Sequence, residues 1–189
     1  GRERLVDDLI RRLARQQFLA VFGPSGVGKS SVIRAGLVPK LRDDLDAGPV
    51  VLFTPGAHPI RECAVHLAPL LGTTAVAVEA DLRAGSHALL SLSEQLLVDR
   101  LATAETVFVM DQFEEVFTLC GDSGERAAFL SLLLNAIAPG SRCRVVLGVR
   151  ADFYSHCAQH AELAAALQDA QAVVGPTTGP FACGASVHT

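Results

Sequence analysis

Gly23-Pro24-Ser25-Gly26-Val27-Gly28-Lys29-Ser30 fits the pattern G-x-x-x-x-G-K-[ST] at every fixed position. The chemistry open to such a stretch is phosphate binding. Glycines let a backbone close around an anion without Cβ clashes, and its N–H groups can converge there at the positive end of a following helix. Lys29 is one of only two lysines, the other being Lys40. It can bridge β- and γ-phosphates as a mobile point charge, while the Ser30 hydroxyl can ligate Mg2+. Gly23, Pro24, Ser25, Gly26, Val27, Gly28, Lys29, Ser30 and the adjoining Ser31 are therefore the candidate nucleotide contacts. Ser30 is also a candidate metal ligand.

A phosphate loop needs a carboxylate partner for its Mg2+, and the carboxyl tip of a neighbouring parallel strand is the place for one. Asp111 ends the apolar run Thr106–Met110 and fits that role. Hydrolysis further needs a carboxylate to polarise water. Gln112, directly after the aspartate, cannot be a base at neutral pH. Glu114 and Glu115 are the remaining candidates, with Glu114 the first choice, although acids at a helix start are also favoured by the helix dipole alone. Arg150 closes the run Arg144–Val149. As a cation on the same sheet edge it could read a γ-phosphate and stabilise transition-state charge. Asp152 could orient that guanidinium or cap the next helix. His156 and His160 stand four apart with no third metal-ligand signal, and His58, His66, His87 and His188 are isolated.

Elements that could position these groups follow from periodicity. Leu5, Leu9 and Leu13 predict a first helix from Arg2 to about Gln16. Phe18–Phe22 reads as a buried strand, and a helix from Lys29 to Arg42 is closed by Asp43-Asp44 and Gly48-Pro49. Val50–Thr54 is a second strand. A helix over 60–71 is ended or bent by Pro69. Between Gly72 and Gly85 only a short helical piece around Glu79–Arg83 is expected. The stripe Leu89, Leu92, Leu96, Leu97 and Leu101 predicts one helix from Ser86 to Ala104. Thr106–Met110 is the third strand, followed by helical stretches at 114–119 and 125–136, where Asp122 and Glu125 resemble a capping box. Arg144–Val149 is the fourth strand, 152–168 a helix, and Ala172–Val174 a short fifth strand. Strands alternating with helices predict an α/β fold around a parallel sheet. Residues 1–174 form this core, and 175–189 read as an irregular tail.

Composition narrows the function classes. The chain has 189 residues, 16 basic against 20 acidic side chains, and 50% hydrophobic content. One domain with a self-sufficient core is expected. A net charge of −4 argues against a direct nucleic-acid partner bound by phosphate neutralisation. The most apolar stretch, Ala64–Val78, is interrupted by Pro69 and Gly72, so no membrane span is expected. Cys63, Cys120, Cys143, Cys157 and Cys183 are odd in number and never in CxxC spacing, as in a reduced, cytoplasmic protein with small buried thiols. No guanine-reading Asn/Thr-Lys-x-Asp motif is present, which points to ATP over GTP.

Three segments together, FLAVFGPSGVGKSSVIRAGLVPKLR, VFVMDQFEEVFTLC and RVVLGVRADFYSHC, resemble the STAND class of signalling ATPases, and most of all its bacterial novel STAND NTPase group. Gly1-Arg2-Glu3 is similar to that class's lead-in motif near the bound base. The resemblance implies a three-layer P-loop NTPase core with a five-stranded, mainly parallel sheet in the order 5-1-4-3-2, so that Arg150 lies between Lys29 and Asp111. It implies Walker A and Walker B roles for Gly23, Gly28, Lys29, Ser30 and Asp111, with Glu114/Glu115 and Arg150 as catalytic residues. It further implies ATP/ADP and Mg2+ as cofactors, slow hydrolysis, nucleotide-gated self-association, and fused or associated signalling and repeat domains. The chain starts at the lead-in glycine and stops after the fifth strand. A core without the class's helical lid and winged-helix module is therefore expected. The alternatives are a non-catalytic nucleotide-binding scaffold, which Gln112 favours, and a small-molecule kinase, for which no acceptor-binding insert is visible.

Overall fold

The structure is a computed structural model and describes residues 2–43, 48–168 and 170–175. Gly1, Asp44 and the tail from 176 to 189, with Cys183 and His188, fall outside these residues. Helix α1 (Arg2–Leu13) buries Val6, Leu9 and Leu13 along one face. Strand β1 (Phe18–Gly23) is buried at every position, as expected of a central parallel strand covered on both sides. After the glycine loop come α2 (Lys29–Ser31), a π-helical segment (Val32–Leu37) and α3 (Val38–Asp43), which run on as one continuous helix. The remaining elements are β2 (Val50–Phe53), α4 (Pro59–Leu71), α5 (Ala75–Ala84), α6 (Ala88–Gln95), β3 (Thr106–Met110), α7 (Glu115–Thr118), α8 (Ser123–Ala136), β4 (Cys143–Arg150), α9 (Tyr154–Ala158), α10 (Ala161–Leu167) and β5 (Gln171–Val173).

The sheet order is β2-β3-β4-β1-β5, and every pairing is parallel. This is the order 5-1-4-3-2 read from the other edge. Alternate β1 side chains enter two apolar layers. Leu19 and Val21 meet Val6, Leu9, Ile33, Leu37 and Val109 on the side of α1 and the glycine-loop helix. Phe18, Ala20 and Phe22 join Leu67, Val78, Leu89, Phe129, Leu133 and Leu163 on the other side. The result is three layers with a chemistry-bearing edge. In register, Gly23 pairs with Arg150 and Met110 with Leu147, so the glycine loop, Asp111 and Arg150 leave the sheet at its carboxyl end.

Four expected elements differ from those observed. The predicted helix over 86–104 is helical only over Ala88–Gln95. Beyond it the chain descends through tight turns, with Leu97 and Arg100 N–H donating three residues back. Leu97 is buried, but Leu101 is 60% exposed, so the leucine stripe outlasts the core it could pack on. The region 72–85 holds a full helix, α5, started by the Thr74 hydroxyl, which accepts the Ala77 N–H. Pro69 does not stop α4, which runs through it to Leu71 and ends at Gly72 in the left-handed conformation (φ 65°). The predicted helix over 152–168 is broken into a 3-10 turn (Ala151–Phe153), α9 and α10. Asp122 does cap α8, its Oδ1 accepting from Gly124 and Glu125 N–H. Glu125 does not reciprocate, because its buried carboxylate accepts Ile60 N–H and lies 3.4 Å from Arg83.

Cys63, Cys120, Cys143 and Cys157 are buried free thiols. Burial pushes Cys143 and Cys157 up to about 12 and Cys63 higher still. The thiolate is the reactive form. Iodoacetamide should therefore leave these four residues unmodified in the folded protein under conditions that fully alkylate the denatured chain. Peptide mapping that finds any of them carbamidomethylated in the native protein would contradict this packing. Among the described residues, no single helix is long and apolar enough to cross a membrane.

Candidate functional site

The glycine loop turns between β1 and α2. Gly26 and Gly28 have φ of 76° and 90°, in the region that favours glycine. The Arg2 side chain closes over the loop from outside: a Cβ at Gly28 would lie 2.5 Å from Arg2 Nη2. Inside the loop is a cleft of about 420 Å³, lined by Pro24, Ser25, Gly26, Gly28, Lys29, Ser30 and Ser31 and, across the sheet edge, by Gln112, Glu114 and Arg150. Gly23 and Val27 are not on its wall. Gly23 ends β1, and Val27 packs on the α1-side apolar layer. Lys29 is only 7% exposed. Among the described residues it has no ion-pair partner. A lysine is rarely buried without one, and this one faces an open cleft.

Asp111 is fully buried at the tip of β3. Its Oδ1 accepts the Ser30 hydroxyl (3.0 Å) and the Gln112 N–H (3.0 Å), and its Oδ2 accepts Arg34 Nε–H (2.7 Å). A serine hydroxyl beside a carboxylate is a set of hard oxygen donors, the kind Mg2+ takes. Gly148 on β4 makes room for this contact. A Cβ there would lie 2.6 Å from Ile33 Cδ1 and 3.2 Å from Asp111 Oδ1.

The chain then reverses sharply. Gln112 adopts φ 58°, the only non-glycine positive φ among the described residues, a conformation uncommon for a side chain of this type. Phe113, fully buried, anchors the turn by donating its N–H to the Gly148 carbonyl (2.8 Å). This reversal separates the two glutamates. Glu114 lines the cleft, and its Oε2 accepts the Arg150 N–H (3.1 Å). Glu115 points instead to the loop after β2, where its Oε2 accepts the Gly56 N–H (3.1 Å). Arg150 is gripped by both carboxylate oxygens of Asp152 (3.1 and 2.7 Å) and lies over the Phe153 ring, so Asp152 orients the guanidinium. His156 and His160 both pack against Phe117.

Burial holds Glu115 above its ordinary 4.5, with the charges of Glu114 and Asp111 adding to the rise and the Gly56 N–H opposing it. A raised folded-state value means that the folded chain keeps a proton which the unfolded chain releases, from pH 4.5 upward to that raised value. Stability is therefore lost as pH rises through that window. Glu115→Gln should raise the denaturation midpoint at about pH 7 and change it little at about pH 4. An equal shift at both pH values would contradict this.

The strand order, the glycine loop between a central strand and a helix, and the buried aspartate on the strand two places away define a P-loop NTPase fold. The chain belongs to the novel STAND NTPase 1 family, whose pattern matches residues 1–180. The Walker-type ATPase of Pyrococcus abyssi has a similar structure, at 16% identity and a TM-score of 0.58 over 92% of this chain and 53% of that one. The Aeropyrum pernix ORC2 protein in its ADPNP–ADP complexes gives 13% identity and a TM-score of 0.58, over 92% of this chain and 46% of that one. At these identities the likeness is one of fold, and the chain spans about half the length of each solved structure. No curated protein matches it.

One site feature has no reading at the sequence level: Arg34. In the sequence it is one more arginine on a helix. Only its position four residues after Ser30, on the same helix face, could flag it.

Proposed function

We propose that this chain is the ATP-binding core of a STAND-type signalling switch, acting in the cytoplasm, with slow Mg2+-dependent ATP hydrolysis coupled to conformational change and self-association. The observation that carries this reading is the cleft itself. A nearly buried Lys29, with no ion-pair partner among the described residues, shares it with Ser30, Glu114 and Arg150, drawn from three separate strand ends. The Gly23–Ser31 stretch would cradle the phosphates, with Lys29 reaching the β- and γ-oxygens. Ser30 and Asp111 would hold Mg2+, which supplies charge compensation to those oxygens when bound. Glu114 would accept the proton of the attacking water, and Arg150, preset by Asp152, would face the charge that develops on the γ-phosphoryl group. The family supports NTPase chemistry of this kind. Fused or associated signalling and repeat domains, and residues 175–189 as a tail outside the core, belong to the same proposal.

A second reading, a nucleotide-binding module without catalysis, is favoured by Gln112, which occupies the cleft position directly after Asp111. Single-turnover release of phosphate from γ-labelled ATP separates the two. Release above the buffer background supports the ATPase. Binding without release supports the module.

A further inference from the structure

Resting on the nucleotide reading above, we propose that Arg34 is a positioning residue for the metal site: it holds Asp111 in the orientation that Mg2+ requires and so sets the Mg2+ dependence of nucleotide binding. Asp111 is fully buried, and a buried carboxylate must be compensated. Among the described residues, Arg34 is its one ion-pair partner. The hydrogen bonds divide the two oxygens. Oδ1 is directed to Ser30, whose side chain lines the cleft, while Oδ2 is taken by Arg34 Nε–H at 2.7 Å.

The guanidinium is itself held in place. Its Nη2–H donates to Thr54 Oγ1 (2.9 Å), on the segment leaving β2. Arg34 thus spans from the tip of β3 to the exit of β2, and the carboxylate cannot turn without breaking this bridge. Ser30 and Arg34 stand four residues apart and reach the two oxygens of one carboxylate from the same helix, across the start of its π-helical segment (Val32–Leu37). Stretches of this kind recur at functional sites. Oδ2 faces Arg34, and Oδ1, which accepts the Ser30 hydroxyl and the Gln112 N–H, is the oxygen on the Ser30 side, where a cation shared by the two groups would sit. Arg34 is half-exposed and is not on the cleft wall, so its effect on nucleotide binding must pass through Asp111.

The test measures binding, not turnover. The affinity of a fluorescent non-hydrolysable ATP analogue, mant-AMPPNP, is followed in EDTA and across a Mg2+ titration for the unmutated chain, Arg34→Ala, Arg34→Lys, Asp111→Asn and the Arg34→Ala/Asp111→Asn double variant. In EDTA, Arg34→Ala should bind within about twofold of the unmutated chain, which also reports an intact fold. Its half-saturating Mg2+ concentration should rise about tenfold, the size of one charge-assisted hydrogen bond, with Arg34→Lys falling between. In the Asp111→Asn background, removing Arg34 should move the Mg2+ midpoint by less than about twofold. An unmoved midpoint in Arg34→Ala overturns the proposal, as does a shift of equal size in the Asp111→Asn background. A weakening in EDTA as large as that in Mg2+ overturns it too, by placing Arg34 on the nucleotide. Failure of the unmutated chain to bind mant-AMPPNP under any condition overturns the nucleotide reading, and this proposal with it.

Discussion

Lys29→Ala is expected to weaken binding of ATP with Mg2+ by at least about tenfold. The ammonium is nearly buried, faces the cleft and has no carboxylate partner among the described residues. Its natural counter-charge is therefore an anion entering that cleft. A hydrogen bond to a charged group contributes about 1.5–3 kcal/mol, and each 1.4 kcal/mol is about tenfold in affinity. Because the ammonium would reach both the β- and the γ-phosphate, its removal places the effect at about tenfold or above. Titration calorimetry measures it, with thermal melting as the control for folding. Removing an unpaired buried charge should not lower the melting temperature. An unchanged dissociation constant would refute the assignment of the 23–30 loop as the phosphate site.

The second large effect separates two neighbouring acids. Glu114→Gln should lower single-turnover phosphate release by about a hundredfold or more, the scale of a general base, while Glu115→Gln should retain release within a few fold. Glu114 lies on the cleft wall against the Arg150 backbone, whereas Glu115 is turned to Gly56 on the edge-strand side. Glutamine preserves the size of both side chains and keeps an oxygen that can accept the same N–H, so folding is little disturbed in either variant. The reverse pattern, with Glu115→Gln inactive and Glu114→Gln active, would contradict the site described here.

Much of this architecture is legible in the sequence, and for identifiable reasons. Strands such as Phe18–Phe22 and Thr106–Met110 are covered on both faces, so they read as unbroken apolar runs. The glycine loop carries its own spacing. The strand order comes from the family resemblance, since nothing in the strands' own patterns orders them. Over residues 86–104 the pattern promises more helix than forms, because leucine spacing continues to Leu101, where no neighbouring layer remains to bury it. Over residues 72–85 it promises less, because the Thr74 cap lies just ahead of the β-branched Val76 and Val78, which weaken helix propensity. Glu114 and Glu115 are not separable by pattern, since their divergence depends on a left-handed Gln112 that no local signal announces. Arg34 and Asp111 are 77 residues apart, and only the pairing of β2, β3 and β4 brings them together.

The central claim is that the cleft between the 23–30 loop and the carboxyl edge of β3 and β4 holds nucleotide phosphates. The most direct measurement is a crystal structure of the chain grown with AMPPNP and Mg2+. The account predicts the triphosphate inside the loop, its β-phosphate within hydrogen-bonding distance of the Gly26–Lys29 amides, and the metal between Ser30 and Asp111. Nucleotide bound elsewhere on the molecule, or an empty loop at millimolar AMPPNP, would contradict it.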